Sequence, residues 1–363
     1  MPVRRVEIPK DNGKKRQLGI PTVVDRFIQQ SISQILSGIY EPLFNDNSFG
    51  FRPNRSTLDA IKRVQQYANE GYYYCVDLDL ERFFDTVNHS KLIQVISENI
   101  KDGRVVSLIH KYLNAGVMVN HKFEETIEGV PQGGPLSPIL SNIILNELDS
   151  ELPRRGHRFV RYADDCMILV KSLRAAERVK ESIATFVEKK LFLRVNKEKT
   201  VVGPLVGKKF LGYSFYFSKD GKIGLTVHKK SKDKFHRELK TITNRSNGKG
   251  YLWLKERLAE YVRGWFDYYY LADMKSFLNK TEKWYRRRIR SYIWKCWKGV
   301  RTRFVNLIKC GISREQAWQW ANTRKGYWRI AGSWILHTAI TNERLVLQGY
   351  PSLLGIYTKL HRN

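Results

Sequence analysis

Two stretches of this sequence put acids where acids are costly. In FVRYADDCMILV (159–170), Asp164 and Asp165 stand side by side between two apolar runs. Such runs around a short break read as a hairpin, so both carboxylates fall at its tip. Aspartate tolerates turn geometry, and a plain turn would account for one of them. Adjacent like charges repel, however, and Asn-Gly would make a turn without that cost. A divalent cation ligated by the pair would remove the penalty. In VDLDLERFFD (76–85), Asp77 and Asp79 are two residues apart. On a strand they share one face, while Leu78 and Leu80 point to the other. A solvated strand end explains this second pair equally well. One acid from that strand and two from the hairpin would serve phosphoryl transfer. There, two Mg²⁺ ions ~3.5–4 Å apart activate an attacking 3′-hydroxyl and stabilise the leaving pyrophosphate.

These acids need elements to hold them. Residues 72–80 read as a strand, and 159–162 with 166–170 as the hairpin. Upstream, 6–9 and 17–20 flank Asp11-Asn12-Gly13 and predict another hairpin. Helices are expected over 25–43, 59–68, 90–100, 102–115 and 174–190, and an aromatic strand over 210–217. Beyond it, 229–246, 251–272 and 274–297 read as three helices, with Gly248 and Gly250 marking the first junction.

Composition changes along the chain. Its 363 residues carry a formal net charge of +29. A globular protein tolerates such self-repulsion most readily beside a polyanion. Residues 1–224 hold 34 Lys and Arg against 26 Asp and Glu; residues 225–363 hold 30 against 9. All nine tryptophans follow residue 250. The shift places a boundary near 220–230, between a mixed α/β part and a mostly helical one. In the latter, Lys229, Lys230, Lys232, Lys234, Arg237 and Lys240 open the first helix. WYRRRIR (284–290) and WKCWK (294–298) interleave cations with aromatics, a pattern suited to phosphates and splayed bases. Amphipathic helices with inward tryptophans are the plainer account of the individual rings. The four cysteines form no Cys-x-x-Cys pair, which argues against zinc and a disulfide framework. No apolar run approaches a membrane span and no signal-peptide core opens the chain, so a cytoplasmic protein is expected.

Taken together, the blocks of residues 1–224 resemble reverse transcriptases. More narrowly, they are similar to bacterial group II intron-encoded reverse transcriptase/maturases. The blocks are RRVEIPKDNGKKRQLGIPTVVDRFIQQ (4–30), SFGFRPNRS (48–56), DLDLERFFDTVNH (77–89), GVPQGGPLSPILSNIILNELD (129–149), RFVRYADD (158–165), LRVNKEKT (193–200) and KFLGYSF (209–215). They run in family order, and Arg263-Gly264-Trp265 resembles the start of the family's thumb, or maturase, domain.

The resemblance implies an α+β right-hand polymerase. Fingers would occupy 1–75, a palm with an antiparallel sheet 76–224, and an α-helical thumb/maturase domain 225–363. Asp79, five residues before the aromatic gate Phe84, is implied as the first metal ligand, with Asp77 its competitor. Asp164 is the second, and Asp165 completes the set. Two Mg²⁺ ions are implied, with Mn²⁺ able to substitute. Phe84 would exclude a ribose 2′-hydroxyl. Lys10 and Arg16 would grip the triphosphate with Arg4 nearby, and Gln132 would lie under the nucleotide. Lys199 or Lys197 would protonate pyrophosphate. Tyr162 and Ala163 would support the primer end, and Phe210, Leu211 and Gly212 belong to the primer grip. Implied partners are an RNA template, a DNA primer, dNTPs and group II intron RNA, in a bacterial cytoplasm; oligomeric state is left open. Family members carry several tens of residues before the block at Arg4, so shorter fingers are expected. No DNA-binding or endonuclease extension is expected after Asn363. Alternatives are an RNA-binding splicing factor with weak or lost polymerase activity, and a retron- or defence-type reverse transcriptase.

Overall fold

Every acid singled out above lies on or beside one antiparallel sheet. The structure, a computed structural model, describes residues 1–9, 13, 15–120 and 122–361. The chain divides into two compact units, Met1–Leu211 with Phe217–Ile223, and Gly212–Tyr216 with Gly224–Asn363.

The first unit opens with β1 (Val3–Pro9), β2 (Lys15–Ile20), α1 (Val23–Tyr40) and α2 (Thr57–Asn69). Next come β3 (Tyr74–Leu78), α3 (Phe83–Thr86), α4 (His89–Asn99) and α5 (Gly103–Leu113). There follow β4 (Val117–Val119), β5 (Lys122–Glu124), α6 (Ser137–Arg154), β6 (Arg158–Tyr162) and β7 (Asp165–Val170). α7 (Leu173–Lys190), β8 (Val201–Pro204) and β9 (Lys209–Phe210) close the run. Of the three sheets among the described residues, the two four-stranded ones have the orders β2-β1-β4-β5 and, for the second, β6-β7-β3-β8.

The second sheet is buried on both faces. Val76, Leu78, Cys166, Ile168 and Val170 join a core built with α4, α6 and α7. On the opposite face α2 packs against β6 and β7. Burial on both sides is why CMILV runs apolar without alternation. Capping starts several helices where the sequence supplies Ser, Thr or Asn. Ser56 and Asp59 form a full capping box on α2, and Ser172 caps α7.

The sequence reading did not include elements such as α3, β4, β5 and β8, and two further departures are instructive. Helix α6 was not expected. Most of it is buried, with a dozen buried residues from Ser137 to Leu152, so it lacks the polar stripe that reveals an amphipathic helix. The strand expected over 210–217 is two strands, β9 and β10 (Tyr213–Phe217). Leu211 and Gly212 interrupt it with φ of 47° and 82°, the left-handed pair that a two-residue type I′ turn requires.

The second unit takes in most of β10 and of β11 (Ile223–Val227), followed by helices. α8 (Lys229–Ile242), α9 (Tyr251–Tyr269) and α10 (Lys275–Cys296) correspond to the three expected helices. Six shorter ones follow: α11 (Val300–Lys309), α12 (Arg314–Ala321), α13 (Tyr327–Ala331), α14 (Trp334–Ala339), α15 (Asn342–Leu347) and α16 (Leu353–Leu360). Glu282 on α10 is buried. Its carboxylate accepts from the Leu353 and Leu354 N–H groups at 2.7 and 3.3 Å, satisfying the first turn of α16.

Candidate active site

The register of the sheet brings the acids together. Asp77 lies opposite Met167 and Leu78 opposite Cys166, while Tyr162 pairs with Asp165 across the hairpin. Asp165 therefore shares a face with Met167 and Asp77. Asp79 lies one residue beyond β3. Its N–H donates to the Thr200 hydroxyl at 3.2 Å, and its carbonyl accepts from the Asn196 N–H at 2.9 Å. A bridge between Leu80 and Val195 keeps the segment extended. Asp77 and Asp79 are both half-buried.

Crowding is written into the ionisation of these groups. Loss of water around Asp165, then the charges of Asp164, Asp77 and Asp79, push its carboxyl up to about 6. The residue as a whole nevertheless keeps exposed surface. Asp77 is also raised, first by burial; Lys208 works against that rise and Asp79 with it. The ammonium of Lys199 stands 3.4 Å from the Asp79 carboxylate.

The turn between β6 and β7 is held by residues that the sequence reading left without a role. Arg161 and Asp149 are both fully buried and form an ion pair. Nε of Arg161 donates to Asp149 Oδ1 at 2.8 Å, and a terminal nitrogen to Oδ2 at 2.5 Å. The rest of the fork reaches the Ser48 hydroxyl at 2.7 Å, Asn142 Oδ1 at 3.1 Å and the Ala163 carbonyl at 2.8 Å. Asn142 in turn donates to the Gly50 carbonyl at 2.9 Å. Leaving either buried charge unpaired costs about 3–5 kcal/mol. Ala163 itself is left-handed, with φ 56°. Gly50 lies so close that a Cβ there would fall 2.2 Å from the Ala163 nitrogen. Two signals for this network were in the sequence: an arginine inside an otherwise apolar strand, and Asn142 with Asp149 seven residues apart on one helix face.

Other expected residues are distributed as follows. Phe84 lies on α3, half-buried, its ring edge-on to Phe83 at 5.1 Å. Its carbonyl accepts from the Val130 N–H at 2.5 Å, so the loop carrying Gln132 runs beside it. The Gln132 carbonyl accepts from the Gly19 N–H at 2.6 Å. Gly133 has φ 118°, and a Cβ on it would meet the Gly19 carbonyl oxygen at 2.8 Å. The room at that glycine is therefore taken by β2. Arg4 lies opposite Ile20 and Arg16 opposite Ile8. Both arginines face one side of the hairpin, four rows or ~13 Å apart. Lys10 lies outside the described residues. Tyr162 is half-buried, and Ala163 and Phe210 are buried. Gly212 is tightly enclosed: a Cβ there would lie 2.4 Å from the Tyr269 hydroxyl.

Among the described residues, no three Asp, Glu, His or Cys side chains converge tightly enough to form a ligand set as they stand. The donor chemistry nevertheless fits a hard divalent cation. Asp79, Asp164 and Asp165 offer carboxylate oxygens at one sheet end, and Asp165 is raised first by loss of water and then by the neighbouring carboxylates.

The second unit presents cations. On α8, Lys229, Lys230, Lys234, Arg237 and Lys240 are exposed. Trp294, Trp297 and Trp320 are buried, while Trp318 and Trp334 are 58% and 62% exposed. Several rings are already stacked by the protein's own cations: Arg287 over Trp328 at 4.2 Å, Lys249 over Trp253 at 4.4 Å and Arg288 over Trp284 at 5.3 Å.

Comparison with known proteins gives two family matches. Residues 8–215 match "Reverse transcriptase (RNA-dependent DNA polymerase)", and residues 232–311 match "Group II intron, maturase-specific domain". Group II intron-encoded protein LtrA of Lactococcus lactis subsp. cremoris is 34% identical, over 61% of this chain and 48% of that protein. Protein YkfC of Escherichia coli (strain K12) is 35% identical, over 56% and 63%. The chain thus spans roughly half to two thirds of these relatives. A telomerase structure from Candida albicans shares the fold, with a TM-score of 0.52 and 13% identity, covering 99% of this chain and 64% of that one.

Proposed function

The chain belongs to the reverse transcriptase (RNA-dependent DNA polymerase) family, and from that premise we propose that it copies RNA into DNA and assists the splicing of a group II intron RNA. The observation that carries the polymerase half is that Asp79, Asp164 and Asp165 stand at one end of the same sheet, with Phe84 on the short helix that follows Asp79. The match to a maturase-specific domain over residues 232–311 carries the splicing half. It also favours the intron type over a retron enzyme.

In this reading residues 1–75 act as fingers, 76–224 as palm and 225–363 as thumb. Asp79, Asp164 and Asp165 would hold divalent cations, two Mg²⁺ with Mn²⁺ as substitute, together with substrate phosphates. Those ions supply Lewis-acid activation of the primer hydroxyl and charge neutralisation at the leaving group. The protein's own residues do the rest. Arg16, with Arg4 on the same hairpin and with Lys10, neutralises the triphosphate. Gln132 lies beneath the sugar and base, and Phe84 fills the space a 2′-hydroxyl would need. Tyr162 and Ala163 support the primer end, and Phe210 to Gly212 keep the primer strand in line. Lys199, whose ammonium contacts Asp79, or else Lys197, hands a proton to the departing pyrophosphate.

Asp164→Ala tests the site. Incorporation of dNTPs on a primed RNA template should fall by at least about a thousandfold, as expected when phosphoryl transfer loses its charge stabilisation. RNA affinity should change little. Synthesis at the wild-type rate would remove the assignment and favour a splicing factor without polymerase activity.

A further inference from the structure

Four elements of the second unit close around a cleft of about 510 Å³ that takes no part in the catalytic assignment. Its walls come from the start of α9, the end of α10, the end of α11, and the segment from Ile340 through α15 to Tyr350. Seven of the twelve lining residues lie within the maturase-specific match, which ends at residue 311, and five lie beyond it. The floor is apolar and aromatic: Ile293, Trp297, Ile340 and Tyr350 are all buried. The rim is cationic, carrying Lys255, Lys309 and Arg344.

Three observations narrow what fits. First, no carboxylate lines the cleft, and among the described residues none of the three rim cations has an ion-pair partner. Three uncompensated charges around a low-polarity floor favour an anion at the mouth. Second, Arg344 is fixed in place. One guanidinium nitrogen donates to the carbonyls of Cys310 and Ala339, both at 2.7 Å, which leaves the remainder of the fork for a ligand. Third, the polar groups beside the floor are amides. Asn306 spends its NH₂ on the Thr302 carbonyl at 2.8 Å and keeps its oxygen, while Gln348 is exposed and bonds to Arg344 through its backbone N–H, which leaves its side-chain amide for a ligand. Amides can read the edge of a base, and aromatic walls can stack on its face. The volume falls in the range of ~300–1,000 Å³ that holds a small organic group. A flat, edge-polar ring carrying negative charge at one end meets all three conditions, whereas an apolar peptide side chain leaves the rim charges unanswered.

We propose that this cleft takes a single nucleotide turned out of a structured RNA, its base on the Trp297–Tyr350 floor and its flanking phosphates at Lys255, Lys309 and Arg344. The inference rests on the RNA-binding reading given above and adds the form of RNA that is recognised.

The test uses the full chain and two RNA hairpins of identical stem, one with a single bulged uridine. The bulged hairpin should bind about tenfold tighter, the order expected from stacking one base on aromatic side chains. Tyr251→Ala, at the rim, and the Lys255→Ala/Lys309→Ala pair should each bring that ratio close to one; unchanged melting temperatures would show that both variants fold. With 4-thiouridine at the bulge, photocrosslinks should map to Tyr251, Trp297 or Tyr350. Equal affinity for the two hairpins, or crosslinks only elsewhere, overturns the cleft while leaving RNA binding intact. Failure to bind either hairpin overturns the RNA reading and the cleft with it. Uridine monophosphate binding alone as tightly as the bulged hairpin would make this a free-nucleotide site and overturn the proposal.

Discussion

In the proposed function a single side chain, Phe84, sets the sugar preference. It is half-buried against Phe83 and anchored through its carbonyl to Val130, so trimming its ring opens space without moving its backbone. Phe84→Val should weaken discrimination against ribonucleotides by roughly 10- to 200-fold, the worth of a single steric contact in a pocket. Competing dNTP and rNTP incorporation on one template would measure it, and unchanged selectivity would remove the gate role. The acids were legible from the sequence because two carboxylates at an apolar hairpin tip demand an explanation. Arg161 and Asp149 were harder to read. Each carries only a faint signal by itself, and the fold is what shows both fully buried and paired across twelve positions of chain.

At the scale of elements, the β6–β7 turn is gripped from outside by the segment around Gly50. That contact predicts that Gly50→Ala would push the Ala163 backbone, because the new methyl would begin 2.2 Å from its nitrogen. The turn rate of chemistry should fall about a hundredfold, as for an ~1 Å misplacement of reacting groups, with the KM for dNTP little changed. A wild-type kcat would mean the loop yields instead of the turn. Helices with one polar stripe, such as α2 and α7, and strands bounded by turn residues were readable from periodicity. Helix α6 was not, since burial on most sides erases the period. The break at Leu211 and Gly212 was hidden because a leucine there disguises a left-handed turn inside an aromatic run.

Over the whole molecule, charge dominates. The net +29 is concentrated after residue 224, much of it on exposed helix faces such as that of α8. Affinity for RNA should therefore fall linearly in log–log terms with salt, by about a thousandfold or more between 50 and 200 mM if six or more phosphates are neutralised. A flat response in a filter-binding or anisotropy titration would count against nucleic acid as the partner of the second unit. The buried fork of Arg161 carries a different kind of consequence, one for heredity. It ties Ser48 and, through Asn142, Gly50 to Asp149 and the Ala163 carbonyl, so its members come from two distant stretches of gene. A recombinant of two relatives that crosses over between codons 50 and 142 draws those partners from different parents. It would inherit a sound turn only where both parents carry matching sets, whereas a crossover downstream of codon 163 passes the whole set on together.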